Sequence, residues 1–328
     1  MKSSVAVSAS RLGLPGWLKQ CALVFCLGLT GAGVAQAQDK PRELRIGFQK
    51  YGTLTIVKAL GTLDKRLGEQ GIRITWTEFP AGPQLLEGLN VGAIDFGTVG
   101  EAPPIFAQAA GAALVYVANE PPSPTSEALL VPRDSPIKTV AELKGKRVAL
   151  NKGSNVHYLL VKLLEQAGVA YRDVDVAYLT PSDARAAFER GSVDAWVIWD
   201  PFQAAAEKQL GARVLADGTG VVKNYQFFLA ARPFQDKHAD VIDIVIDEIR
   251  KGDAWAREHQ AETVALLEPV LGLPRPVVEL AASRLAYGIT PITREVLAEQ
   301  QQVADAFHAL KLIPKPVQVQ DAAPAALK

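Results

Sequence analysis

"GAIDFGTVGEAP", Gly92 to Pro103, returns without a gap as "GSVDAWVIWDPF", Gly191 to Phe202. Gly92 falls on Gly191, Asp95 on Asp194, Val99 on Ile198 and Glu101 on Asp200. Each copy reads as a glycine closing a helix, an aspartate, an apolar strand and an acid at the turn into the next helix. Glycine after a helix is common for C-cap reasons alone, so the weight rests on the whole pattern. Upstream, "IGFQKYGT" (46–53) resembles "VALNKGSN" (148–155) more loosely. Two copies of one plan predict two lobes built alike.

Apolar runs of strand length alternate with amphipathic stretches of helical period around both copies. The first series predicts strands at Leu44–Phe48, Arg73–Glu78, Ala93–Thr98 and Leu114–Ala118, with helices at Thr53–Gln70, Gln84–Asn90 and Pro103–Ala110. The second predicts strands at Arg147–Leu150, Val174–Leu179, Asp194–Trp199 and Val214–Leu215, with helices at Val156–Gln166, Ala184–Arg190 and Pro201–Gln209. Such alternation means an α/β protein whose sheets are mostly parallel and flanked by helices. Glu127–Val131 and Gln226–Ala231 are extended and apolar, and are expected to carry the chain between lobes and back. Residues 38–127 and 228–328 then form lobe 1, and 128–227 lobe 2. The helical stretch from Asp236 to Leu312 is expected to pack on lobe 1.

Ligands of open α/β sheets bind beyond the carboxyl ends of the strands. Four turns lie there: Gln49–Thr53, Val99–Glu101, Asn151–Asn155 and Trp199–Asp200. Facing lobes would gather all four around one cleft. The turn at 151–155 opens a helix, whose first N–H groups are unpaired and carry partial positive charge, a ready site for an anion. Ser154 suits both an anion donor and an N-cap. Lys50 and Lys152 read as solvated. Trp199, at a strand end, is placed to face the cleft, and Trp196 reads as core. Asp95 and Asp194 are expected to cap turns.

The first 37 residues read as an export signal, not as fold. Lys2, Arg11 and Lys19 precede an apolar stretch from Cys21 to Val34, and Ala35-Gln36-Ala37 makes an A-x-A cleavage site. The apolar stretch is short for a membrane span. Cleavage would remove both cysteines and the one methionine. The remaining chain, about 290 residues, could then form no disulfide, thiolate nucleophile or Cys-ligated metal site. The whole chain balances 35 basic against 35 acidic residues. Losing three basic residues leaves it slightly acidic, which argues against nucleic acid as a partner.

Chemistry is thinly represented. His157, His238, His259 and His308 have no ligand-spaced acid or second histidine. Neither a G-x-G-x-x-G nor a phosphate loop occurs, so no cofactor is expected. A Ser154/His157 dyad is possible on spacing but lacks an orienting acid. Glu101 and Asp200 could accept the proton of a phosphate but would repel a sulfate or sulfonate, which is fully ionised and only accepts hydrogen bonds. They are therefore expected to cap helices or to meet an amine or hydroxyl elsewhere on a ligand.

The stretches "IGFQKYG", "EFPAGPQLLEGLNVGAIDFGTVGEAPPIFAQAAG", "SPIKTVAELKGKRVALNKGSNVHYLL" and "TPSDARAAFERGSVDAWVIWDPFQAA" resemble the periplasmic aliphatic-sulfonate-binding proteins of ATP-driven importers. "FFLAARPF" and "KLIPKPV" fit as well, so the likeness runs from about Arg42 to Val317. It implies a type II periplasmic-binding fold, a periplasmic location, and delivery of sulfonates to a membrane permease and its ATPase for sulfur scavenging. Carried over motif by motif, it places ligand contacts at Gln49, Gly100, Glu101, Gly153, Ser154, Asn155, Trp199 and Asp200. Receptors for taurine, nitrate or thiamine-type pyrimidines share the fold and shorter parts of these motifs. They stand as alternatives, as does an enzyme built on the same scaffold.

Overall fold

The computed structural model describes residues 40–327, so the expected export signal lies outside the described residues. The first round of the chain is β1 (Glu43–Phe48), α1 (Thr53–Leu60), α2 (Thr62–Gly68), β2 (Arg73–Glu78), α3 (Gly82–Asn90), β3 (Phe96–Gly100), α4 (Pro103–Ala109), β4 (Leu114–Asn119) and β5 (Glu127–Val131). The second is β6 (Arg147–Leu150), α5 (Asn155–Gln166), β7 (Asp175–Tyr178), α6 (Pro181–Glu189), β8 (Ala195–Trp199), α7 (Phe202–Leu210), β9 (Arg213–Asp217) and β10 (Gln226–Ala231). There follow α8 (Arg232–Gln235), α9 (Ala239–Glu258), α10 (Gln260–Leu271), α11 (Arg275–Ser283), β11 (Thr290–Pro291) and α12 (Arg294–Ala309). The single helix expected over Thr53–Gln70 is two, because Gly61 sits between them in the left-handed region, at φ 67°.

The two sheets share one strand order. The first runs β11-β4-β10-β3-β1-β2 and the second β9-β5-β8-β6-β7. Within each, the strands of the αβ series run one way: β1 pairs in parallel with β2 and β3, and β6 with β7 and β8. One long strand is inserted against that direction, β10 between β3 and β4, and β5 between β8 and β9. Each sheet is therefore mixed, and each inserted strand comes from the other round of the chain. Glu127–Val131 and Gln226–Ala231 are thus strands inside the sheets, where crossing segments were expected. A continuous apolar run is what a strand covered on both faces needs: Phe227 and Leu229 face one core while Phe228 and Ala230 face the other. The crossings run through 120–126 and 218–225 instead.

The repeated aspartates explain why the copies look alike. Asp95 accepts a hydrogen bond from the backbone N–H of Arg45 at 2.9 Å, and Asp194 from that of Arg147 at 2.8 Å. Their own N–H groups donate back to the carbonyls of the same two residues, at 2.8 and 2.7 Å. Each aspartate fastens the entry of the central strand to its parallel neighbour. They clasp strands where turn capping was expected. This fixes the register that brings the strand ends, and so the turns beyond them, to the same level.

The C-terminal helices do more than cover lobe 1. Val241, Ile242, Val245 and Ile249 of α9 pack on the first sheet with Leu54 and Val57 of α1. Val277 and Ala281 of α11 pack instead on Ala204 and Ala205 of α7, in lobe 2. Phe307 of α12 meets Phe106 of α4 at 4.9 Å between ring centres and His157 of α5 at 5.2 Å.

Candidate functional site

The carboxyl ends of β1, β3, β6 and β8 do converge between the lobes. Gln49, Tyr51, Gly82, Gly100 and Pro103 from lobe 1, Asn155 and Trp199 from lobe 2, and Gln226 at the start of β10 enclose a cavity of about 10 Å³. That is room for about one water molecule. The cleft is shut, and glycines let it shut. A Cβ added to Gly100 would lie 2.9 Å from Cβ of Asn155 across the cleft, and one on Gly153 would lie 3.2 Å from the Phe106 ring. Gly153 also has φ 75°. Only a residue without a side chain serves at either contact.

The turn at 151–155 is built as a donor platform. Ser154 occupies the N-cap position of α5 but makes no side-chain cap; its hydroxyl donates to the Asn151 carbonyl at 2.7 Å. Asn155 and Val156 are the first helical residues, so their N–H groups have no intrahelical acceptor. The Gly153 N–H donates to Nδ1 of His157 at 3.2 Å. With Nδ1 accepting, Nε2 carries the proton and donates to the Tyr171 hydroxyl at 2.7 Å. Burial and the charge of Lys152 push this imidazole down to about 3. It is neutral and occupied at both nitrogens, so the Ser154/His157 dyad does not form.

Asn155 ties this platform to the crossings. Its Nδ2 donates to Oε2 of Glu127 at 2.6 Å and to Oδ1 of Asn224 at 3.1 Å. Asn224, in the left-handed region at φ 52°, donates to the Ser123 carbonyl at 2.8 Å and to the Ser126 hydroxyl at 3.1 Å. Ser126 donates to the Ser123 carbonyl, which leaves the Tyr51 hydroxyl to donate to Ser126, at 2.8 Å. A continuous polar chain thus joins the cleft, from both lobes, to the two segments that connect them.

The two expected acids have different fates. Asp200 is fully buried and accepts from the Ala204 N–H at 3.0 Å, which holds the start of α7. It also pairs with Arg284 beyond α11 at 3.4 Å. Burial pushes it up to about 6, against the pull of Arg284. Glu101 meets no cation. One carboxylate oxygen accepts from the Tyr225 N–H at 3.4 Å and the other is buried without a partner. Burial pushes it up to about 8. Glu127 is pushed well above the ordinary range by burial and by Glu101.

Of the eight residues the sequence put forward, the cavity wall brings together Gln49, Gly100, Asn155 and Trp199. Gly153 and Ser154 precede Asn155 in its turn, Glu101 and Asp200 follow the last residues of β3 and β8, and none of the four lines the wall. Tyr51, Gly82, Pro103 and Gln226 line the wall too and were not put forward. A signal for Gln226 existed. It opposes Gly100 as Glu127 opposes Trp199, so the two inserted strands begin at matching places. No lysine, arginine or histidine lines the cavity. Among the described residues no group of His, Cys, Asp and Glu could hold a metal ion, and no helix is long and apolar enough to cross a membrane.

The profile of the NMT1/THI5-like family matches residues 68–263. A protein of Escherichia coli provisionally named aliphatic sulfonates-binding protein is 49% identical over 300 residues, 91% of this chain and 93% of its own length. The alkanesulfonate-binding protein SsuA of Xanthomonas axonopodis pv. citri, solved bound to MOPS, superposes with a TM-score of 0.84 at 43% identity, covering 87% of this chain and 99% of that one. The periplasmic aliphatic sulphonate binding protein SsuA of Escherichia coli superposes with a TM-score of 0.78 at 49% identity, over 86% and 92%. The chain belongs to the NMT1/THI5-like family and groups there with the aliphatic sulfonate-binding proteins.

Proposed function

We propose that the chain is the sulfonate receptor of an ATP-driven importer, working in the periplasm and passing its ligand unchanged to a permease driven by an ATPase. One observation carries the reading from geometry: the cleft offers an anion the start of α5, where the first backbone N–H groups have no intrahelical acceptor, with no cation on its wall. Such a site favours a singly charged, hydrogen-bond-accepting group held by dipoles. A sulfonate meets that description. The kinship with sulfonate-binding proteins points the same way.

In this reading Gly100, Gly153, Ser154 and Asn155 hold the sulfonate head, Gln49 and Gln226 flank it, and Trp199 lies along the tail. Glu101 and Asp200 act from beneath, by positioning Tyr225 and the start of α7. The shut cleft admits a ligand by parting the lobes about 120–126 and 218–225, the hinge motion of two-domain binding proteins.

Ser154→Ala tests the head site. Calorimetry should show every sulfonate weakened by a similar 1.5–3 kcal/mol, roughly the worth of a hydrogen bond to a charged group. A folded variant that binds all of them as tightly as before removes the site. Thermal shift tests the class: a sulfonate at 100 times its dissociation constant should add about 2.7 kcal/mol. Equal stabilisation by nitrate, or a ligand recovered chemically altered, would count against the proposal.

A further inference from the structure

A second cavity, of about 430 Å³, shares no lining residue with the cleft. Pro122 and Pro124 of one crossing, Val221 and Val222 of the other, Tyr158 of α5 and Val303 of α12 give it apolar walls. It has the size of a small-molecule pocket. Its buried end is polar and one-sided. Glu101 and Gln300 line it, 2% and 1% exposed, and each has its Oε1 oxygen buried without a partner. The Gln300 amide cannot turn its nitrogen there instead, because Nε2 donates to the Glu101 carbonyl and, at 3.0 Å, to the Tyr116 hydroxyl. The other carboxyl oxygen of Glu101 takes the Tyr225 N–H at 3.4 Å. Lys223, the cation on this wall, is exposed and pairs with Glu299 at 4.0 Å.

We propose that this cavity is a second binding site, for a small primary ammonium ion with an apolar body, whose N–H groups donate to Oε1 of Glu101 and Oε1 of Gln300. Nothing in it depends on what fills the cleft. Two stranded acceptors on one cavity call for a ligand with several N–H donors, and the carboxyl group favours a cation over a neutral amide. The rings of Tyr158 and Tyr225 add faces that attract positive charge. Burial pushes Glu101 up to about 8; the N–H groups of Tyr225 and Asn224 oppose the shift, and Glu299 adds to it. Glu127 is the other acid that feels Glu101, and Tyr158, Tyr225 and Lys223 are the remaining titratable groups around it. Without a cation beside it, Glu101 therefore keeps its proton at neutral pH. An arriving ammonium ion retains its own protons, Glu101 gives its proton to solvent, and an ion pair forms.

Calorimetry at neutral pH with benzylamine, benzyl alcohol and benzyltrimethylammonium tests this. The three share a ring and differ in charge and in N–H groups. Benzylamine should bind about 10-fold or more tightly than either of the others, the worth of a hydrogen bond between charged groups. Its heats in two buffers of different ionisation enthalpy should show roughly one proton released per amine bound. Glu101→Gln should weaken benzylamine about 10-fold or more and abolish that release. Gln302→Phe, an exposed change on α12 that crowds the mouth, should weaken it too, and serves if the first variant folds poorly. Equal binding of the three compounds overturns the proposal, as does benzylamine bound with no proton released, or an affinity unmoved by both substitutions. Failure of benzylamine to bind at all at millimolar concentration overturns it as well.

Discussion

Gly100 and Trp199 occupy the same place in the two sheets. Each ends the central strand and pairs with the first residue of the inserted strand, Gln226 for Gly100 and Glu127 for Trp199. One position has no side chain and the other has the largest. The next pair diverges as far: Glu101 is buried with an unpartnered oxygen, while Asp200 has Arg284. Backbone plan, register and strand order agree between lobes, and side chains at the shared strand ends do not. A duplicated scaffold would by itself give a symmetric cleft. Its asymmetry comes from a few substitutions at the strand tips, where lobe 1 is cut back to receive the tip of α5 and lobe 2 fills the space with an indole.

The comparison breaks most sharply at Gly100. Gly100→Ala places a methyl group against Asn155 and should hold the lobes apart, since overpacking of this kind costs about 1–3 kcal/mol. Affinity for any sulfonate should fall about 100-fold, about 2.7 kcal/mol. The melting temperature without ligand should change less than the affinity, because parting the lobes relieves the clash. Calorimetry beside a melting curve separates the two effects. A variant that binds normally would show that closure does not press these residues together.

The acids come next. Glu101 holds its proton in the folded protein up to about pH 8, whereas the unfolded chain gives it up near 4.5. The unfolded state binds fewer protons between those values, so Glu101 makes stability fall as pH rises through that window. Glu101→Gln should remove that decline, gaining on the order of 4 kcal/mol at pH 8 and almost nothing at pH 4. Denaturant titrations at the two pH values decide it, and a gain equal at both would point to packing. Asp200→Asn should give no such gain, since the change strands Arg284 with only Glu207 as partner.

The smallest effect distinguishes the clasps. Asp95 also holds the Arg45 side chain, through Nε at 2.9 Å, whereas Asp194 has only the backbone donor of Arg147. Asp95→Ala should therefore cost about 2 kcal/mol and Asp194→Ala about 1 kcal/mol. Equal losses in urea would mean that the Arg45 side chain adds nothing.

Much of this was readable in advance because the repeat is carried by residues with backbone duties. Gly92 and Gly191, at φ 71° and 68°, and the aspartates that clasp the strands leave marks in the sequence at a fixed spacing. The turns beyond the strands follow from them, and four of the eight proposed contacts line the cavity. What stayed hidden depends on contacts far apart in sequence. Nothing near Asp200 announces that Arg284 will reach it, or that α11 will pack on α7. Gln226 joins the wall because the inserted strand β10 starts there, opposite Gly100. The misplaced crossings have a plain cause: an extended apolar run looks the same whether it joins two lobes or lies buried within one.

The exchange of β5 and β10 has a consequence for how the chain could be divided. A cut between β5 and β6 leaves two fragments, the second also carrying α8–α12 and β11. Neither can complete its own sheet, because each carries a strand that belongs in the middle of the other's. The halves could recover only by trading strands, as partners in a swapped pair do. The binding cleft, seen this way, is laid out as an interface between two subunits that happen to share one chain, and the two crossings are what make their meeting intramolecular.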